Sequence, residues 1–81
     1  MRLFVANFLE STEEEDLKEL FEQYGSVEEV DIWIDNSTGR SREFGFVTML
    51  NEGSAEHAIK KLNGRVWNGR RLKVSEARSK S

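Results

Sequence analysis

Cysteine is absent from this 81-residue chain, so neither a disulfide nor a thiolate metal site can brace the fold and the apolar core must hold it alone. Long hydrophobic runs are missing as well. Nothing approaches the roughly 18 consecutive apolar residues of a membrane span, and no basic leader precedes the first patterned segment. The expectation is a protein inside the cell, in the cytoplasm, with no membrane partner. Asn36-Ser37-Thr38 fits the glycosylation acceptor pattern, which without a secretion signal is read as chance. There is a single histidine, and the stretch from Gly39 to Gly45 lacks the lysine and hydroxyl pair of a nucleotide loop. The carboxylates crowd a helix expected to be exposed, a poor setting for acid catalysis. No enzyme activity, metal or cofactor is expected. A chain of this length makes one small domain that buries only about 60–65% of its unfolded surface, leaving no room for a deep enclosed pocket.

The net charge of −3 is unevenly spread: residues 1–35 hold 11 acids and 2 bases, residues 36–64 hold 3 and 4, and residues 65–81 hold 1 and 6. A basic C-terminal end is therefore hidden behind an acidic average. The local field on a contacting face matters more than the total, although the total weakens long-range steering of a polyanion.

Leu3 to Asn7 reads as a first strand with Leu3 and Val5 on one face and Phe4 and Ala6 on the other. Thr12-Glu13-Glu14-Glu15 fits a capping box that opens a helix, whose stripe of Leu17, Leu20, Phe21 and Tyr24 is stopped by Gly25. Val27 to Ile34 alternates as a second strand, with Val30, Ile32 and Ile34 on one side and Glu29, Asp31 and Trp33 on the other. After a polar loop from Asp35 to Ser41, a third strand from Arg42 to about Leu50 turns Val47 and Met49 inward and Arg42, Phe44, Phe46 and Thr48 outward. A second helix spans about Gly53 to Leu62, with Ala55, Ala58, Ile59 and Leu62 as its apolar stripe and Asn63-Gly64 as its end. Asn68-Gly69 is a two-residue hairpin signal between Arg65-Val66-Trp67 and a last strand from Arg71 to Ala77. In that strand Lys73 and Ser75 oppose Leu72 and Val74. The order strand, helix, strand, strand, helix, strand is the split βαβ pattern of an α+β, ferredoxin-like sandwich. It implies a four-stranded antiparallel sheet with both helices on one face. One domain over residues 1–77 is expected, with a short basic tail over 78–81. Met1 directly ahead of the first strand leads to the expectation of a complete one-domain protein.

A sheet covered on one side normally turns polar groups to water on the other. Here that open side gathers Phe4, Phe44, Phe46 and, by parity, Trp33. Leaving such rings in water forgoes about 1.5–3 kcal/mol each, a cost usually tied to a partner. Nucleobases stack on such surfaces, each contact being worth about 1–3 kcal/mol.

Over essentially its whole length the chain resembles the RNA recognition motif family. LFVANF, from Leu3, is similar to the family's short signature and REFGFVTM, from Arg42, to its long one, in the expected order and on strands one and three. The likeness extends to Thr38-Gly39-Arg40-Ser41-Arg42, Leu62-Asn63-Gly64 and Gly69-Arg70-Arg71-Leu72-Lys73-Val74. It implies that Phe4 and Phe46 stack two bases of single-stranded RNA, that Phe44 lies between or against the sugars, and that Arg42 bonds a phosphate. Two positions depart from the pattern: Glu43 stands where a glycine is usual, and Phe8 where a leucine is. From parity, Trp33 is expected to stack a further base or wall the site. Glu29 and Asp31 disfavour phosphate on the second strand, and there they suit base amino groups. Lys73, Ser75, Arg78 and Lys80 are expected to hold phosphates. Single-stranded DNA is an alternative ligand, and the chain is expected to act as a monomer. Trp67 is expected to cap the core, and His57 to be a plain surface residue.

A competing reading is a protein-interaction module. Some domains of this fold grip a peptide tryptophan with an acidic first helix and an arginine and aromatic before the last strand. Glu13, Glu14, Glu15, Asp16, Glu19 and Glu22, with Arg65-Val66-Trp67, resemble that arrangement. Those domains typically lack the platform aromatics, which this chain keeps.

Overall fold

The computed structural model of the chain describes residues 1–34 and 41–77, with backbone alone for 34 and 41–43. Strand β1 (Arg2–Ala6) buries Leu3 and Val5 completely and turns Arg2, Phe4 and Ala6 to the other side, as the two-residue period of an extended chain requires. Helix α1 (Glu14–Glu22) follows, then β2 (Val27–Ile34), β3 (Ser41–Met49), α2 (Glu52–Leu62), the short strands β4 (Val66–Trp67) and β5 (Arg70–Arg71), and β6 (Lys73–Glu76). The main sheet has the order β2-β3-β1-β6, with every neighbouring pair antiparallel, and β4 and β5 form a separate ribbon. This is the ferredoxin-like α+β sandwich. Among the described residues no helix is long and apolar enough to cross a membrane.

One side of the sheet is covered by both helices. Leu17, Leu20 and Phe21 of α1 and Ala55, Ala58 and Leu62 of α2 join Leu3, Val5, Ile32, Val47, Met49 and Val74 in a single buried cluster. Phe8 and Leu72 complete it from outside the strands and helices, both fully buried. The phenylalanine at position 8 is thus accommodated as core. Trp67 packs against the rim of the same cluster, as expected of a residue capping its end.

Several boundaries differ from the sequence reading, each for a local reason. The helix cap is Glu13, not Thr12: the Glu13 amide donates to Asp16 Oδ2 at 2.9 Å, while Thr12 is buried and donates its own amide to the Leu9 carbonyl. An acid at position 13 with another three residues on meets the same geometric need as a threonine-glutamate pair. Gly25 is not a left-handed helix stop; α1 ends at Glu22. Its lack of a side chain serves close packing, since a Cβ there would stand 2.5 Å from Ser54 Cβ at the start of α2. Helix α2 begins one residue early, because Asn51 caps it by accepting from the Ser54 amide at 2.9 Å. The last strand is broken at Leu72, whose amide and carbonyl bond Arg65 and Gly64 at 2.9 and 2.8 Å instead of joining the sheet. Arg70 and Arg71 therefore belong to the hairpin, which turns through Asn68 and Gly69 with φ of 51° and 82°, the left-handed pair a tight antiparallel turn demands. The polar loop and its Asn36-Ser37-Thr38 triplet lie outside the described residues.

Where β3 passes β2, the contact leaves no room for a side chain. A Cβ on Gly45 would stand 2.5 Å from the Asp31 carbonyl oxygen and 3.1 Å from Ile32 Cα. These atoms are backbone and cannot swing aside. Gly45 pairs with Val5 on one side and Ile32 on the other, and the approach on the Ile32 side sets the spacing between β3 and the outer strand β2. The register then shifts between Ile32 and Ile34.

Candidate nucleic-acid interface

Strand register arranges the open face as rows. Asp31, Phe46, Phe4 and Ser75 lie side by side across β2, β3, β1 and β6. One row along come Glu29, Thr48 and Arg2, and on the opposite side Phe44, Ala6 and Lys73. Antiparallel neighbours on one face bring their Cβ atoms to about 4.5–5.5 Å, so each row is a set of neighbouring side chains.

The rings form one continuous surface. Phe4 lies with its centroid 5.9 Å from Phe44 and 5.7 Å from Phe46, and the two β3 rings meet edge to face at 6.4 Å and 89°. Trp33 extends the surface toward the β2 edge: it stacks on Phe44 at 5.8 Å and 26° and meets Phe46 at 6.3 Å. The three phenylalanines are half-buried by one another, whereas Trp33 remains 48% exposed. No helix covers them, and their faces are presented to solvent at the centroid spacings aromatic clusters prefer.

Polar groups flank the rings asymmetrically. Glu29 and Asp31 are exposed on β2, and Lys73 and Ser75 are exposed on β6, at opposite borders of the platform. Arg2 is a residue of this face that the aromatic pattern of the sequence does not mark. Its guanidinium carbon sits 4.1 Å from the centroid of the Phe46 ring. Its parity with Phe4, two residues on, was the available signal. The Arg42 side chain and Arg78 lie outside the described residues.

The end of β1 is tied down beside the platform. Asn7 takes a left-handed backbone with φ of 67°, a conformation asparagine tolerates better than most residues. Its Nδ2 donates to the Arg71 carbonyl at 2.7 Å, and its Oδ1 accepts from the Arg70 guanidinium at 3.1 Å. The hairpin is thereby held against β1. On the helical side, Arg65 donates to the Tyr24 hydroxyl at 3.4 Å, and exposed His57 lies against the Tyr24 ring at 5.5 Å.

The aromatic rows occupy adjacent central strands, and the family model for the RNA recognition motif matches residues 3–73, which spans both. The chain belongs to this family. Among RNA recognition motif relatives, RbpE of Nostoc sp. is 44% identical over 78 residues, covering 96% of this chain and 79% of that protein. Mitochondrial glycine-rich RNA-binding protein 4 of Arabidopsis thaliana is 41% identical over 80 residues, covering 99% of this chain but only 59% of its own length. Of the solved structures with this motif, RNA binding protein PG1 superposes with a TM-score of 0.94 at 42% identity, covering all of this chain and 98% of that one. A Sxl-lethal protein–RNA complex gives 0.91 at 34% identity, covering 99% of this chain and 48% of that one.

Proposed function

We propose that the open sheet face binds single-stranded RNA, with stacking as the main source of affinity. The observation that carries this reading is the unbroken run of four aromatic rings on a face left bare by both helices. Phe4 and Phe46 each take a base, Phe44 lies against the intervening sugars, and Trp33 stacks a further base at the β2 border. Lys73 and Ser75 hold phosphates at the β6 border, opposite Glu29 and Asp31, and Arg42 and Arg78 bond further phosphates. The domain comprises residues 1–77 and works as a monomer without chemistry. Relatives named for RNA binding and a similar fold solved with RNA support the reading. They do not single out the cytoplasm, since one is mitochondrial by name.

Trp33 supplies the direct test. Titrating the protein with single-stranded RNA should quench its fluorescence, and Trp33→Ala should remove most of that signal and weaken binding by about 1 kcal/mol or more, as one lost stack requires. Fluorescence of both tryptophans unmoved by RNA would count against the assignment. Affinity should also fall as salt rises, through release of phosphate counterions. Selection from a random single-stranded RNA pool, with DNA of the winning sequence as control, would fix ligand preference.

Asp31 gives the site a bias among bases. Beside Phe46 in its row, its carboxylate can accept from the amino edge of a stacked base but repels phosphate. Asp31→Asn is expected to cut the preference for amino-bearing bases by about 1–3 kcal/mol, the discrimination a paired base-edge contact carries. Comparing guanine with inosine at each position of a bound oligomer measures it; equal discrimination by both proteins would remove Asp31 from base reading.

A second reading has one observation in its favour: a concavity of about 250 Å³ joins Asp16, Glu19, Leu20 and Gln23 of the acidic α1 region to Trp67 and Asn68. Peptide capture that survives loss of Phe44 and Phe46 would support an interaction module there.

A further inference from the structure

Arg2 stands on the platform in a way the stacking scheme leaves unused. Its backbone is fixed: it pairs with Thr48 in β3, and its carbonyl accepts the Ala77 amide at 2.8 Å. Only the exposed side chain can move. It lies along the sheet surface so that the guanidinium carbon covers Phe46 at 4.1 Å. That is the ring on which a base is to stack. Among the described residues its N–H groups have no carboxylate partner, although Glu29 lies in the same row beyond Thr48.

A base and the guanidinium therefore meet at one ring, and magnitudes decide between them. A cation over an exposed ring is worth a factor of about 2–5 in an equilibrium. A stacked base is worth a factor of about 5–150 on the same surface. The base wins the ring. The displaced guanidinium stays tethered at the edge of the site, and its planar face stacks on bases as readily as on phenylalanine.

We propose that Arg2 is a closing clamp: it shields Phe46 in the free protein, yields to the incoming base, and folds back over that base's outer face. The base is then held between Phe46 and the guanidinium plane, and the edge N–H groups reach the adjoining phosphate. This rests on the RNA-binding reading above and adds to it a ligand-binding residue. It also places a cation over the one base that Asp31 borders. Charge is thus delivered from above the base as well as from the β6 border, where Lys73 stands.

The test is binding of a mixed-sequence single-stranded RNA dodecamer to the full chain, followed by anisotropy at several salt concentrations. Arg2→Ala is expected to weaken binding about 5- to 20-fold and to reduce the slope of log affinity against log salt by about 0.7, the contribution of one phosphate contact on a single strand. Arg2→Lys keeps the charge but loses the planar stack, so the salt slope should be restored while a several-fold loss of affinity persists. Arg2 is exposed and outside the core, so both variants should melt like the parent, which thermal unfolding verifies. Arg2→Ala binding as tightly as the parent, or more tightly, would overturn the clamp, the second result marking the guanidinium as a mere obstruction. A parent protein that fails to bind the dodecamer at all would overturn the RNA reading itself, a different outcome from a bound parent with an indifferent Arg2.

Discussion

Replacing Phe44 and Phe46 together by alanine is expected to abolish RNA binding while leaving a folded protein. The base stacked on Phe46 contributes about 1–3 kcal/mol, a fall of about 5- to 150-fold when it is lost, and Phe44 takes the sugar contact with it. The base stack of Trp33, whose indole rests on Phe44, is weakened with them, and the summed loss takes a modest single-module affinity beyond ready measurement. The double change is also larger than the sum of two exposed rings. Phe46 holds the Phe4 ring at 5.7 Å and carries Arg2, while Phe44 supports the Trp33 indole, so the flanking groups lose their backing as well. Neither ring belongs to the buried cluster between sheet and helices. The melting temperature should therefore move by only a few degrees, and unchanged RNA affinity in a folded double variant would dispose of the platform.

The converse experiment is a substitution that spares every functional side chain and still destroys the site. Gly45→Ala places a methyl group against the Asp31 carbonyl and Ile32 Cα, both backbone atoms. The only relief is to move the outer strand β2 away from β3. Overpacking of this kind costs about 1–3 kcal/mol, and more where backbone must shift. For a domain of this size each 1 kcal/mol lowers the melting temperature by about 4–8 °C. A loss on the order of 10 °C is expected by calorimetry, with a larger one for Gly45→Val. RNA affinity should fall too, because Gly45 sits between Phe44 and Phe46 and its approach to Asp31 sets both rings against Trp33. A variant with parental stability and affinity would show that the strands part without consequence.

The site was legible to the extent that it depends on parity. Phe4, Phe44, Phe46, Trp33, Asp31, Lys73 and Ser75 share a face because residues two apart in strands must, and the residues opposite them are apolar and buried. What parity does not carry is which side chains touch. The contact of Arg2 with Phe46 depends on the β1–β3 register, which lays Phe4 opposite Phe46 and Arg2 opposite Thr48. Nothing within either strand alone states that alignment. Helix ends were misplaced where two residue pairs satisfy one geometry, as Thr12 and Glu13 do at α1. Gly25 was misread because a glycine after a helix signals a left-handed stop, whereas here it clears space for Ser54, a partner 29 positions further along the chain. The break at Leu72 was hidden for a similar reason: its hydrogen bonds return to residues 64 and 65, and an alternating pattern that runs through a break looks like one strand.

The carboxylates along β2 have a further consequence, for the protein at high concentration. β2 is an outer strand of the sheet, and an outer strand offers unpaired amides and carbonyls onto which another extended chain can add. Glu28, Glu29 and Asp31 are exposed along it, so two copies approaching through this border would set like charges against one another before any backbone bond could form. The acidity that makes the platform a poor lure for polyanions is, at its rim, a guard against self-association into sheets.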